Sequence, residues 1–70
     1  MMRKQGRIIK LNRDGTGLVA SEGIEYPIKR DSISRRAHTS GRIYPNARIT
    51  FEIRNLLNGR FAMSVTPEKF

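Results

Sequence analysis

Cysteine is absent from the 70 residues, so no disulfide can brace the fold and no thiolate can hold a metal. Stability must come from a compact apolar core, in a chain short enough to bury only about 60% of the surface its unfolded form exposes. No run approaches the ~18 apolar residues of a membrane-spanning helix. Met1-Met2-Arg3-Lys4-Gln5-Gly6 carries charge and no apolar stretch, so it does not read as a secretory signal, and cytoplasm is the expected compartment. His38, the single histidine, lies in a basic polar segment with no carboxylate cluster at ligand spacing, which argues against a metal site. One histidine among scattered carboxylates gives no Ser/His/Asp arrangement. Gly15-Thr16-Gly17 is followed by no helical pattern and falls short of a dinucleotide fingerprint. The expectation is a protein with no catalytic residues, no metal and no cofactor.

Acidic residues are also scarce. Six Asp and Glu face 14 Lys and Arg, a formal charge of +8. A surplus of this size on so short a chain attracts polyanions, nucleic acid first among them. The cations are interleaved with apolar residues instead of forming one charged tail, which favours a folded basic surface.

Helical periodicity is weak throughout. Short strand signals recur instead, separated by Gly, Asn and Pro, a pattern of all-β barrels and sandwiches. The first is Arg7 to Leu11, followed by the turn Asn12-Arg13-Asp14-Gly15, whose Asp-Gly suits a tight hairpin. The second is Thr16 to Ala20, closed by Ser21-Glu22-Gly23. The third, Ile24 to Lys29, contains Pro27, which cannot donate a ladder hydrogen bond. Asp31-Ser32-Ile33 reads as a short helical turn with Asp31 and Ser32 as its cap. Ser34 to Gly41 reads as a basic mobile loop. Arg48 to Arg54 alternates cleanly, and Phe61 to Thr66 follows the Asn58-Gly59 turn. Alternation puts Tyr26, Ile28, Ile33, Ile49, Phe51, Ile53 and Val65 inside. Ile8 and Ile9 are adjacent, so only one can point inward unless the strand bulges. The expected organisation is a flexible basic N-terminus over 1–5, one barrel domain over 6–67 and a short tail over 68–70.

Five strands with a long irregular connection after the third suit an all-β, five-stranded antiparallel Greek-key barrel of the oligonucleotide/oligosaccharide-binding (OB) type. Several stretches are similar to motifs of the cold-shock domain family. Gly6 to Asn12 and Asp14-Gly15-Thr16-Gly17-Leu18-Val19 resemble its first motif, and Tyr26-Pro27-Ile28-Lys29-Arg30-Asp31-Ser32-Ile33 its second. Ile49-Thr50-Phe51-Glu52-Ile53 and Gly59-Arg60-Phe61-Ala62-Met63-Ser64-Val65 resemble its last two strands. The resemblance runs from Gly6 to Thr66 and implies a binder of single-stranded RNA or DNA. In that family exposed aromatic rings on the sheet stack on unpaired bases. Here Lys10 stands at the Trp position, Thr16 and Leu18 at the aromatic positions of the first motif, and Pro27 and Arg30 at those of the second. Lys29 stands at the histidine position.

Cations therefore replace rings at the positions the resemblance marks. Lys10, Lys29 and Arg30 are expected on one outer face, with Arg7, Arg13 and Arg54 near its rim and Thr16 and Leu18 within it. Arg guanidinium groups can stack on bases and pair with phosphates. Arg35, Arg36 and Arg42, in the basic segment, are further candidates for nucleic-acid contact. Tyr44, Leu56, Leu57 and Phe61 are less easily put inside. They would form the patch of the alternative reading, a homodimer or protein-interaction module on the same barrel, and Tyr44 and Phe61 also suit base stacking. A third reading is an initiation-factor-like barrel contacting structured RNA on the ribosome.

Overall fold

A computed structural model describes residues 3–68. The elements run β1 (Lys4–Leu11), β2 (Gly17–Ser21), β3 (Ile24–Ile28), α1 (Arg35–Thr39), β4 (Arg48–Leu56) and β5 (Gly59–Pro67). The ring β1-β2-β3-β5-β4 closes into a barrel. All neighbours are antiparallel except β3 and β5, which run parallel and meet at Ile28↔Ala62. This is an OB-like barrel, as the strand signals imply. Among the described residues, no helix is long and apolar enough to cross a membrane.

Closure requires β1 to pair on both edges. Its first half, Lys4 to Arg7, opposes Phe51 to Arg48 of β4, and its second half, from Arg7, opposes β2. Ile8 pairs with Val19 but Lys10 with Leu18, so Ile9 is one extra residue in β1. A bulge of this kind reverses the in–out alternation beyond it. Ile8 is fully buried, Ile9 is 46% exposed, Lys10 turns outward and Leu11 packs against the core. In a regular strand with Ile9 kept and no bulge, Lys10 would share the inward phase of Ile8. Gly17 permits the close approach on the other side, because a Cβ there would collide with the Lys10 carbonyl.

β5 contains the matching irregularity. Thr50 opposes Thr66 and Glu52 opposes Met63, so Ser64 and Val65 together face Phe51. Ser64 takes a positive φ of 53°, which lets Val65 keep its inward position at 1% exposure. Phe51, fully buried, meets Tyr26 at a centroid distance of 5.7 Å, tilted 53°. Of the residues expected inside, Tyr26, Ile28, Ile33, Ile49, Phe51 and Val65 are buried; Ile53 is half-buried and packs on the cluster's edge.

Three expectations need correction. The segment 1–5 is not a free tail in its described part: Lys4 and Gln5 belong to β1. Arg3 donates hydrogen bonds to Thr50, Ser64 and Thr66 and forms a 3.1 Å ion pair with Glu52. It thereby ties the start of β1 to β4 and β5. Met1 and Met2, and Lys69 and Phe70 of the expected tail, lie outside the described residues. Second, the segment 34–41 is not a loop throughout, because α1 occupies Arg35–Thr39. Ser34 Oγ accepts from Ala37 N at 3.1 Å as its N-cap, and Ala37 is fully buried. One small apolar residue in five leaves no periodicity to read. Third, Asp31-Ser32-Ile33 is not a helical turn capped by Asp31 and Ser32. Ser32 is buried in a turn after β3, where its Oγ accepts from Lys29 N at 2.9 Å, and Ile33 bridges to Val65.

The β2–β3 hairpin turns through Glu22 and Gly23, with φ of 54° and 78°, between the paired Ser21 and Ile24. Positive φ at both central residues defines a type I′ turn, which favours Asn-Gly. A side chain at left-handed φ costs roughly 1–2 kcal/mol, and Asn bears this conformation more easily than Glu. Glu22→Asn gives up an exposed 3.5 Å pair with Lys4, a contact worth roughly 0.2–1 kcal/mol. The expected result is a net gain of about 0.5 kcal/mol, seen as a rise of about 2–4 °C in the thermal midpoint. A lower midpoint would refute the turn assignment.

Candidate nucleic-acid interface

The bulge in β1 has a direct consequence on the outer wall. Lys10, Leu18 and Pro27 lie in register across β1, β2 and β3, through the pairs Lys10↔Leu18 and Leu18↔Pro27. Directly opposed residues project from the same face of a sheet. This row crosses a groove of about 520 Å³ with Leu18, Pro27, Ile28 and Phe61 as its apolar part and Lys10, Lys29 and Arg30 as its cations. Asn12, Thr16, Gly17 and Asp31 complete the lining. Pro27 donates no ladder bond, and β3 meets its other neighbour at only Ile28↔Ala62, so the missing donor is tolerated there.

Two turns hold the cations in position. After β3, Ser32 N donates to the Lys29 carbonyl at 3.0 Å while Ser32 Oγ accepts from Lys29 N. This fixes the backbone of Lys29 and turns the chain at Arg30. The Lys29 ammonium then lies 4.8 Å from the centroid of the Phe61 ring, a cation–π contact that leaves a cation and an aromatic face side by side. Arg30 packs against Gly15, which has a φ of 89°, at the tip of the β1–β2 hairpin.

That hairpin is tied internally. Asn12 N donates to the Thr16 carbonyl at 2.8 Å and Gly15 N to the Asn12 carbonyl at 3.1 Å. Asp14 Oδ1 accepts from the Thr16 hydroxyl at 2.6 Å and from Thr16 N at 3.0 Å, while Asn12 Nδ2 donates to Thr16 Oγ1 at 2.9 Å. The Thr16 hydroxyl is thus committed to the loop, and its role in the groove is to order the wall. These bonds, the hydroxyl's first, and the nearby positive charge of Arg30 hold the Asp14 carboxyl below its ordinary value of 3.8.

Lys10, Thr16, Leu18, Lys29 and Arg30 are therefore brought together as expected. Arg54 is paired with Phe61 across β4 and β5, which puts it on the groove's side of that ribbon but outside the lining. Arg13 lies at the hairpin tip, exposed and also outside the lining. Arg35 and Arg36 lie on α1 and line no part of the groove. Arg7, Arg42 and Tyr44 border other hollows.

The four residues expected as one interaction patch are separated. Phe61 belongs to the groove. Leu56 and the fully exposed Leu57 lie at the β4–β5 hairpin end, whereas Tyr44 precedes β4, about 25 Å away along the strand. The role of Phe61 in the groove was legible only through its phase. Ala62 points inward in β5, so Phe61 must point out.

Fold and site together define a small OB-like barrel with a basic, partly apolar outer groove. No protein-family model, curated protein or solved structure matches the chain.

The depressed carboxyl of Asp14 gives a pH prediction. A lowered folded-state pKa stabilises the folded hairpin above the unfolded value and loses that contribution as pH falls through the folded one. NMR titration should find the Asp14 carboxyl midpoint below 3.8, and Thr16→Val should move it back toward 3.8. An unchanged midpoint in Thr16→Val would mean that the hydroxyl does not set it.

Proposed function

We propose that this protein is a non-enzymatic, cold-shock-type binder of single-stranded RNA or DNA, acting through the groove over β1, β2 and β3. The observation that carries this reading is the Lys10–Leu18–Pro27 row, flanked by the Lys29–Phe61 pair and by Arg30. A base has apolar and aromatic surface to lie on, and the cations beside it are available to phosphates. The work is mostly electrostatic, because a single ring replaces the several that resembling proteins use. Stacking on one ring is worth ~1–3 kcal/mol. Each phosphate contact on a single strand adds ~0.7 to the slope of log affinity against log salt.

The test is a fluorescence titration of labelled single strands at about 50 mM and about 200 mM salt. Binding in the micromolar range at the lower salt and a steep loss at the higher is expected, as for a surface dominated by phosphate contacts. Lys29→Glu combined with Arg30→Glu should weaken binding by at least about tenfold and flatten the salt slope by ~1.4 for two lost contacts. Phe61→Leu should weaken binding by roughly fivefold or more while leaving the slope unchanged, because it removes a ring and no charge. No binding by the unaltered protein at low salt would overturn the proposal.

A further inference from the structure

A second cationic surface adjoins the groove and is built differently. A hollow of about 440 Å³ is lined by Arg42, Tyr44, Asn46, Arg48, Pro67 and Glu68 among others. A smaller one of about 230 Å³ shares Arg48 and Glu68 with it and reaches Arg7. The two form one surface through these shared residues. Its centre is unusual in charge: Arg7 and Arg48 are directly opposed across β1 and β4, and both are exposed. Like charges in this position destabilise a sheet unless an anion lies over them. Among the described residues, the Arg7, Arg42 and Arg48 side chains have no hydrogen bond or ion pair; Glu68 is held beside them by its backbone N–H, which donates to the Arg48 carbonyl at 3.1 Å, and its carboxylate pairs with none of them. Tyr44 is 53% exposed beside them.

The surface is also joined to the groove through β1. Asn46 N donates to the Ile8 carbonyl at 2.7 Å, and Ile8 N donates to the Ala47 carbonyl at 3.1 Å. The turn after Tyr44 is therefore docked on β1 between Arg7 and Lys10. Those two residues are about 10 Å apart along the strand, with exposed Ile9 between them.

We propose that a single nucleic-acid strand leaves the groove across Ile9 and continues onto this second surface, where Arg7 and Arg48 take its phosphates and Tyr44 takes a base. The inference rests on the proposed groove and enlarges its footprint. Glu68, the carboxylate in the hollow, opposes the strand and limits its affinity.

Oligothymidines of about 4 and about 12 nucleotides separate the two surfaces, since OB barrels occupy ~4–16 nucleotides. Arg48→Gln and Tyr44→Ala should each weaken the longer strand by about fivefold or more and leave the shorter within about twofold. Arg48→Gln should also lower the salt slope of the longer strand by ~0.7. Glu68→Gln should tighten binding of the longer strand only, a gain that misfolding cannot imitate. Relief of the like-charge pair should leave the melting temperature of Arg48→Gln at or above that of the unaltered protein. Equal effects at both lengths, or none at the longer, would overturn the extension and leave the groove intact. Failure of the unaltered protein to bind either length at low salt would overturn both.

Discussion

β1 must satisfy two neighbours at once, and the change of phase between Ile8 and Lys10 makes that compatible with an apolar interior. The strand gives its early backbone groups to β4 and its later ones to β2. A regular strand would send the Lys10 side chain into the barrel with Ile8. An unpaired ammonium in that core would carry a desolvation cost larger than most single contacts contribute. The extra residue, Ile9, removes the conflict. The same step that keeps charge out of the core puts Lys10 in line with Leu18 and Pro27. Stability and the candidate interface thus have a common structural origin.

The distribution of charge follows a related logic. The chain has few carboxylates, and several are already engaged. Glu52 holds Arg3, Glu22 pairs with Lys4, and Asp14 is bonded to Thr16. Arg3 donates hydrogen bonds to acceptors on two strands, β4 and β5, whereas the Arg7, Arg42 and Arg48 side chains have no such partners among the described residues. Structural and available cations can therefore be told apart by their contacts, although composition counts them alike. Available guanidinium groups beside aromatic surface are suited to a flexible polyanion whose bases are unpaired.

Much of the barrel was legible in the residues. Ile49, Phe51 and Val65 belong to strands whose period-2 pattern is strong, and alternation reports the inner face directly. Asp14-Gly15, Glu22-Gly23 and Asn58-Gly59 marked the hairpins. Lys10, Lys29 and Arg30 were also identified as neighbours, through their positions in motifs similar to those of cold-shock domains. α1 was missed because Ala37 alone anchors it. The attachment of residues 3–5 to the barrel is not readable in the sequence, because nothing local to Arg3 predicts acceptors on Thr50, Ser64 and Thr66.

The sequence by itself determined the class of fold, the inward residues of the strong strands and the excess of positive charge. Local alternation and turn chemistry act over a few residues and can be read in order. Tertiary structure decided which of Ile8 and Ile9 turns inward, that Phe61 belongs beside Lys29, and that Arg7 opposes Arg48 instead of bordering the groove. Each of these depends on register between strands far apart in the chain. A shift of one residue reverses the facing of a whole segment, and register is set only when the barrel closes.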